Sequence, residues 1–425
     1  MTLGSPPAPP VTIRTHPGGV RGVGVDDLIR IGRRQNPKRQ VLFVSTVLGK
    51  HLSVPPTTLL AAGMALGGRV EATLAGTDPT ADEDRLRAAL GGDLLSPADV
   101  APAPGAAVRA TVLGFAETAT ALGHVVRRRL GPGPLSHTTR RPAGTPVVRC
   151  VEAHSHAVDH EVHHDDPGFL SDAAPVVIVD DEITTGSTAL SLIEAVHAVH
   201  ARHRYVLATL VDWRSDDDRR RMAGTAERLG TSIEVVSLLD ASAEVGEAPP
   251  LPGIEEAPPG SPSPLGSASP APAPPPRVTT VELSLGPPTA RRGWTAEHQA
   301  TLDERIAEAV APLAAARRGA KVLVLGTEEL MYVPALIALH LGPGAVTRST
   351  TRSPIVPAAG ADYPIHDRVT FPAVDGLAGD RYLYNLGDDR VDDVVLVADV
   401  PVPPDHPMVA ALGRATDHVH LVVLR

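Results

Sequence analysis

The sequence is poor in cysteine, lysine and aromatic residues. One cysteine, Cys150, stands in 425 residues, which excludes an intrachain disulfide framework and a cysteine-based zinc cage. Three lysines accompany 36 arginines, and 49 acids bring the formal charge to -10. That balance argues against a general nucleic-acid-coating surface and leaves a local anion site open, and aromatics are few, 11 in all. No apolar run approaches the roughly 20 residues that span a bilayer, and residues 1–10 lack the basic start and apolar core of a secretory signal. The expectation is a cytoplasmic protein without a membrane partner.

Proline is in excess rather than short supply, and its placement divides the chain. Residues 1–17 and 249–276 hold 17 of the 43 prolines. The segment 247–277 is almost wholly Pro, Ala, Gly and Ser, with no apolar period to bury, and reads as a semi-stiff linker. Residues 1–17 read as a disordered tail. Two units of ordinary domain size are then expected, 18–246 and 278–425.

Both units have an α/β texture. Short apolar runs at Val41–Val44, Val108–Leu113, Val176–Val179, Tyr205–Val211 and Ile233–Leu238 alternate with helical patterns at Glu117–Arg129 and Ser187–Ala201. Continuous apolar strands between helices predict a parallel sheet covered on both faces. The second unit repeats the pattern with strands at Lys321–Leu325 and Val394–Val397.

An internal repeat joins the two. Val112, Leu113, Gly114, Glu117, Thr138, Thr139, Arg140 and Pro142 recur as Val324, Leu325, Gly326, Glu329, Thr350, Thr351, Arg352 and Pro354, at a constant offset of 212. The matches cluster where loops would lie. The second unit therefore reads as a smaller, degenerate copy whose loop chemistry was kept.

The segment Val176–Thr188 carries the most specific chemistry. A buried strand delivers Asp180 and Asp181, and Thr184, Thr185, Gly186, Ser187 and Thr188 open directly into a helix. Backbone N–H groups of such a loop and the helix N-terminus suit a phosphate monoester. The acid pair suits sugar hydroxyls, or a hydrated Mg²⁺ held through water.

These thirteen residues resemble the phosphoribosyl pyrophosphate (PRPP) motif of type I phosphoribosyltransferases, and the region as a whole resembles their orotate-type members. Glu182 departs from the pattern, which prefers an aliphatic residue or Ser there. The resemblance implies that Asp180 and Asp181 bind the ribose hydroxyls and Thr184–Thr188 the 5′-phosphate of PRPP. It further implies a pyrophosphate loop at Gly114, Phe115, Ala116, Glu117 and Thr118, and a mobile hood loop in which Arg140 and Arg141 stabilise the leaving group. Lys50 and His51 would face the base or pyrophosphate from an amino-terminal hood.

Thr351-Arg352-Ser353-Pro354 resembles the TRSP domain that accompanies an orotate-phosphoribosyltransferase-like domain in tellurium-resistance stress-response gene clusters. The counterpart of the PRPP strand there keeps Asp399 but follows it with Pro401, Pro403 and Pro404, which delete the backbone donors of a phosphate cradle. Acceptor contacts are expected from Glu152, His154 and His156 in a histidine-rich stretch, and from Glu329, Thr351 and Arg352. Ligation of Zn²⁺ or Mn²⁺ by that stretch stays open as an alternative reading. The expected reaction is transfer of ribose 5-phosphate from Mg²⁺-bound PRPP to a base-like acceptor, giving a nucleotide-like metabolite in a stress-response pathway. The expected partners beyond the substrates are a second copy in a homodimer, or other proteins of such clusters. A non-catalytic sensor of PRPP or nucleotides and a phosphorylase-like reverse reaction remain competing readings, although no helix-turn-helix pattern supports a regulator.

Overall fold

The computed structural model describes residues 10–34, 40–93, 95–101, 107–141, 143–150, 160–246, 274–388 and 390–425. The first unit opens with β1 (Val11–His16), α1 (Val25–Leu28) and the hairpin β2 (Ile29–Arg33) and β3 (Val41–Ser45), followed by α2 (Pro56–Ala75) and α3 (Thr80–Leu90). Next come β4 (Thr111–Gly114), α4 (Thr120–Leu130), β5 (Leu135–Thr139), β6 (Val148–Cys150) and β7 (His160–Val162). It closes with β8 (Val176–Ile183), α5 (Ser187–Val199), β9 (Arg204–Asp212), α6 (Asp216–Leu229) and β10 (Ser232–Val245).

Its main sheet runs β1-β10-β9-β8-β4-β5-β7-β6. The five strands from β10 to β5 are parallel, with antiparallel additions at both edges. Parallel strands buried on both faces need helices above and below, and the apolar residues of β8 supply both. Val177 and Val179 join the core on the α2 and α4 side, whereas Val176 and Ile178 join the core on the α5 side. The chain leaves β4 in one direction and β8 in the other, so a crevice opens between their carboxyl ends, where ligands of open α/β sheets bind.

The second unit contains β11 (Arg277–Leu283), α7 (Ala296–Ala316), β12 (Val322–Gly326), α8 (Tyr332–Leu341) and β13 (Ala345–Ser349). After these come the hairpin β14 (Arg368–Pro372) and β15 (Asp380–Tyr384), then β16 (Asp393–Ala398), α9 (Pro407–Leu412) and β17 (His418–Leu424). Its all-parallel sheet runs β11-β17-β16-β12-β13. The four strands β17-β16-β12-β13 reproduce β9-β8-β4-β5 in order and direction. The outer strand comes from before the repeat, as β11, rather than after it. The expected degenerate copy is therefore visible in topology as well as sequence.

The tail expected over 1–17 needs correction. Val11–His16 pairs in register with Asp240–Val245 and forms an edge strand, its alternation of β-branched residues outweighing the prolines around it. Arg277, placed at the end of the linker, begins β11; residues 247–273 of that linker lie outside the described residues.

The two units pack through one continuous apolar core reaching from α2 and α4 to α7 and α8. Trp294 is fully buried there against the ring of His124, which stacks on Tyr332 at 4.3 Å. Backbone bonds cross as well, from Trp294 to Leu135 at 2.7 and 3.2 Å and from Val54 to Thr347 at 3.0 and 2.8 Å. The β2–β3 hairpin meets the second unit too, with Leu42 and Val44 clustered against Ile355, Ile365 and Tyr384.

Candidate active site

The end of β8 brings three half-buried acids, Asp180, Asp181 and Glu182, to the crevice beside β4. Asp181 donates its backbone N–H to Asp180 Oδ1 at 2.9 Å. Burial and then the charge of Asp181 hold Asp180 well above the usual carboxylate range. An acid pair in this state gains most from a cation or from hydroxyl donors.

Thr184 and Thr185 are exposed in the turn, and Gly186 takes a left-handed φ of 75° before α5 begins at Ser187. A side chain at Gly186 would strain the backbone and place its Cβ 2.8 Å from Met222 Cε, so the tight strand–turn–helix requires glycine. Thr185 and Ser187 share a hydroxyl bond at 3.0 Å. The amino end of the 13-residue α5, with these hydroxyls, can take a phosphate. Arg221 of α6 leans over the same turn, bonded to the Thr185 carbonyl at 2.5 Å. Sequence reasoning missed it, because nothing local links α6 to the turn.

Opposite lies the loop Gly114–Thr118. Phe115 donates its N–H to Val179 O at 2.8 Å and Ala116 to Thr138 Oγ1 at 2.9 Å, while the Phe115 ring is buried against His160. The Ala116–Glu117 peptide is cis. Phe115 and Ala116 are thus tied to β8 and β5, and Glu117 and Thr118 follow them in the loop. Lys50 reaches Thr118, donating to its Oγ1 at 2.5 Å. His51 does not follow; it is buried against the Tyr384 ring of the second unit.

The expected hood loop is arranged differently. Arg141 is buried and its guanidinium lies 3.3 Å from Glu328 and Asp375 and 3.5 Å from Asp399, all in the second unit. It lies at the ends of β12 and β16, the equivalent of the crevice between β4 and β8. Arg140 turns to His160 Nε2 at 2.9 Å. Arg141 is thus committed to acids of the second unit. The reason is electrostatic: the second unit concentrates buried carboxylates at the ends of β12 and β16, and Arg141 joins Arg291, Arg352 and Arg381 in pairing with them.

The repeated residues build the same bonds twice. Ala116 N–H to Thr138 Oγ1 at 2.9 Å is matched by Glu328 N–H to Thr350 Oγ1 at 3.0 Å. Arg141 N–H to Thr139 Oγ1 at 3.0 Å is matched by Ser353 N–H to Thr351 Oγ1 at 3.1 Å. The two loop pairs also cross over. Thr139 Oγ1 donates to Glu329 Oε1 at 2.7 Å, and Arg352 Nε lies 3.0 Å from Glu117 Oε1. Each unit's second loop thus reaches the other unit's glutamate.

This exchange revises the expected acceptor residues. Glu329 is buried between Thr139 and Arg291, and Thr351 is buried and paired through its backbone with Tyr382. Glu329 is thus an interface residue, and Thr351 belongs to the packing of the second unit. Burial alone would raise the Glu329 carboxyl, but His137, Arg291, Arg141 and the Thr139 bond together hold it below the ordinary range. Arg352 reaches the loop after β4, bridging Glu117 and Glu328 at 3.0 Å each. Burial, then Glu328, raises the Glu117 carboxyl against the pull of Lys50 and Arg352.

Glu152, His154 and His156 lie outside the described residues. His160, at the end of that stretch, bonds Thr138 Oγ1 at 3.1 Å. Among the described residues, the His and acid atoms close enough to share a metal are those of Asp393, His418 and His420. They lie at the opposite, amino end of β16 and β17, where Arg318 already bonds both Asp393 oxygens. No helix among the described residues is long and apolar enough to cross a membrane.

Solved structures similar to this chain include adenine phosphoribosyltransferase from Rhodothermus marinus, at 15% identity and a TM-score of 0.28, covering 51% of this chain and 96% of that one. The Giardia lamblia enzyme complexed with 9-deazaadenine gives 14%, 0.29, 51% and 95%, and the Leishmania donovani enzyme 18%, 0.28, 51% and 78%. No curated protein matches the chain by sequence. A family model described as phosphoribosyl transferase matches residues 28–242, just over half of the chain, and one described as the TRSP domain C-terminal to that transferase matches residues 288–412. The chain therefore belongs to the phosphoribosyl transferase family, with a TRSP domain following the transferase region.

Proposed function

We propose that this phosphoribosyltransferase moves ribose 5-phosphate from PRPP to a nitrogen base, using a single site in the first unit. The observation that carries the reading is the crevice between β4 and β8, where an acid pair and a glycine-turned helix start face a loop that holds Lys50 and Arg352. The turn Thr184–Thr188 would take the 5′-phosphate, with Arg221 beside it. Asp180 and Asp181 would accept from the ribose hydroxyls. Pyrophosphate would lie toward Glu117 and Thr118, where Lys50 supplies positive charge.

As the bond from C1′ to the pyrophosphate oxygen breaks, the base nitrogen bonds to C1′ and its proton is released. Positioning and stabilisation of the departing charge account for the rate, and no covalent intermediate is called for. Oxygen donors alone, in a crevice where burial presses the acids toward neutrality, fit a hard cation such as Mg²⁺ held through water at Asp180 and Asp181. When bound, Mg²⁺ would neutralise phosphate charge. The second unit would keep the site in shape rather than turn over substrate, since Arg141 pairs with the acids at the ends of its own β12 and β16. Synthesis of a stress-response metabolite rests on the TRSP resemblance.

The test is pyrophosphate release from PRPP with Mg²⁺ and a panel of bases. Release that depends on a base supports transfer. Tight PRPP binding with no release from any base or cell extract makes the chain a sensor instead.

A further inference from the structure

With 11 aromatic residues in the chain, the meeting of two beside the acid pair is informative. Phe43 of β3 stacks on Trp213, the residue after β9, with ring centroids 4.3 Å apart and planes at 19°. Trp213 is fixed from two sides. Its backbone N–H donates to Ile183 O at 2.8 Å, and its indole Nε1 donates to Glu182 Oε2 at 3.0 Å. Glu182 is the residue at which the PRPP motif departs from its usual aliphatic or Ser.

Glu182 lies one residue past Asp181, and Lys50 is near enough to act on its charge. Lys50 in turn bonds Thr118 of the opposite loop. The carboxyl therefore belongs to the space bounded by the acid pair, the loop Gly114–Thr118 and the β2–β3 hairpin. Oε2 is held by the indole, and among the described residues no side chain donates to Oε1.

A carboxylate on the acceptor would set its oxygens against those of Asp180, Asp181 and Glu182. These acids favour an acceptor whose edge offers hydrogen-bond donors. We infer that Glu182, oriented by Trp213, is a specificity-determining residue: its free oxygen reads a ring N–H or exocyclic amine of a neutral or cationic nitrogen heterocycle, and carboxylate-bearing heterocycles are turned away. The inference rests on the phosphoribosyl-transfer reading and narrows its acceptor class.

Equilibrium binding of adenine, cytosine, orotate and nicotinate is measured on the full chain, saturated with PRPP and Mg²⁺ and under conditions without turnover. Pyrophosphate release is followed separately. The wild type is expected to take an amine-bearing base over both carboxylate bases. Glu182→Leu should weaken that base roughly 10- to 100-fold, the range of a hydrogen bond to a charged group, with PRPP affinity within about threefold. Glu182→Gln keeps an acceptor for the indole, and should lose the preference while folding normally. Preference for orotate or nicotinate, an unchanged order in both variants, or no binding of any base overturns the inference. Failure of the transfer reading is distinguishable, because it shows as base binding without pyrophosphate release.

Discussion

Arg141 was expected over the leaving group, and the structure commits it to the second unit, so its removal separates the two roles. The guanidinium is 6% exposed and lies within 3.5 Å of Glu328, Asp375 and Asp399. In Arg141→Ala these acids keep only part of their partners. Glu328 retains Arg352 and Arg381, and Asp399 retains Arg291, but Asp375 shows no second cationic partner among the described residues. Breaking a buried ion pair from one side costs about 3–5 kcal/mol, and the remaining partners place this case near the low end, about 3 kcal/mol. Urea unfolding read by linear extrapolation measures it. The coupling between Arg141→Ala and Glu328→Gln should be about 1–3 kcal/mol in a double-mutant cycle. PRPP affinity should change little in whatever fraction stays folded. A variant as stable as the parent, with pyrophosphate release reduced a hundredfold or more, would refute the interface role and return Arg141 to the reaction.

Two further outcomes follow from particular contacts. Gly186→Ala should lower stability by about 1 kcal/mol or more and weaken PRPP at least tenfold, because the left-handed turn and the Met222 contact both oppose a side chain. Gly224→Ala, in open space inside α6, is the control and should gain up to about 1 kcal/mol in chemical denaturation. Arg352→Ala leaves Glu117 beside Glu328 with Lys50 as its remaining cation, so turnover should fall roughly 10- to 100-fold with the Kd for PRPP within threefold, measured by steady-state kinetics and calorimetry.

Much of this architecture was legible in the residues. The apolar run Val176–Val179, the acids after it and the glycine turn are local features, and local features fix a strand–turn–helix. The repeat at an offset of 212 announced a second sheet of the same design, and the strand order β17-β16-β12-β13 bears it out. What the residues did not disclose is which partner each repeated loop would choose. Thr139 and Arg352 bond across to Glu329 and Glu117, 190 and 235 residues away, and no periodicity encodes contacts at that distance. The Thr-Thr-Arg repeat suggested shared chemistry. The matched hydroxyl-to-amide bonds show that its threonines build the loop first. Glu182 stood out only as a departure from a motif, because its indole partner lies 31 residues on and reaches it through the pairing of β8 with β9. The strand Val11–His16 was hidden by neighbouring prolines, although its alternating Val, Thr, Ile, Arg pattern was the available signal.

The central claim is that the acid pair at the end of β8 holds the ribose of PRPP. Calorimetric titration of Mg²⁺ and PRPP into the wild type and into Asp181→Asn tests it most directly. Loss of a charged hydrogen-bond acceptor predicts roughly 10- to 150-fold weaker binding in the variant, with unfolding unchanged. Equal affinity in the two proteins, or no binding in the wild type, would contradict the account.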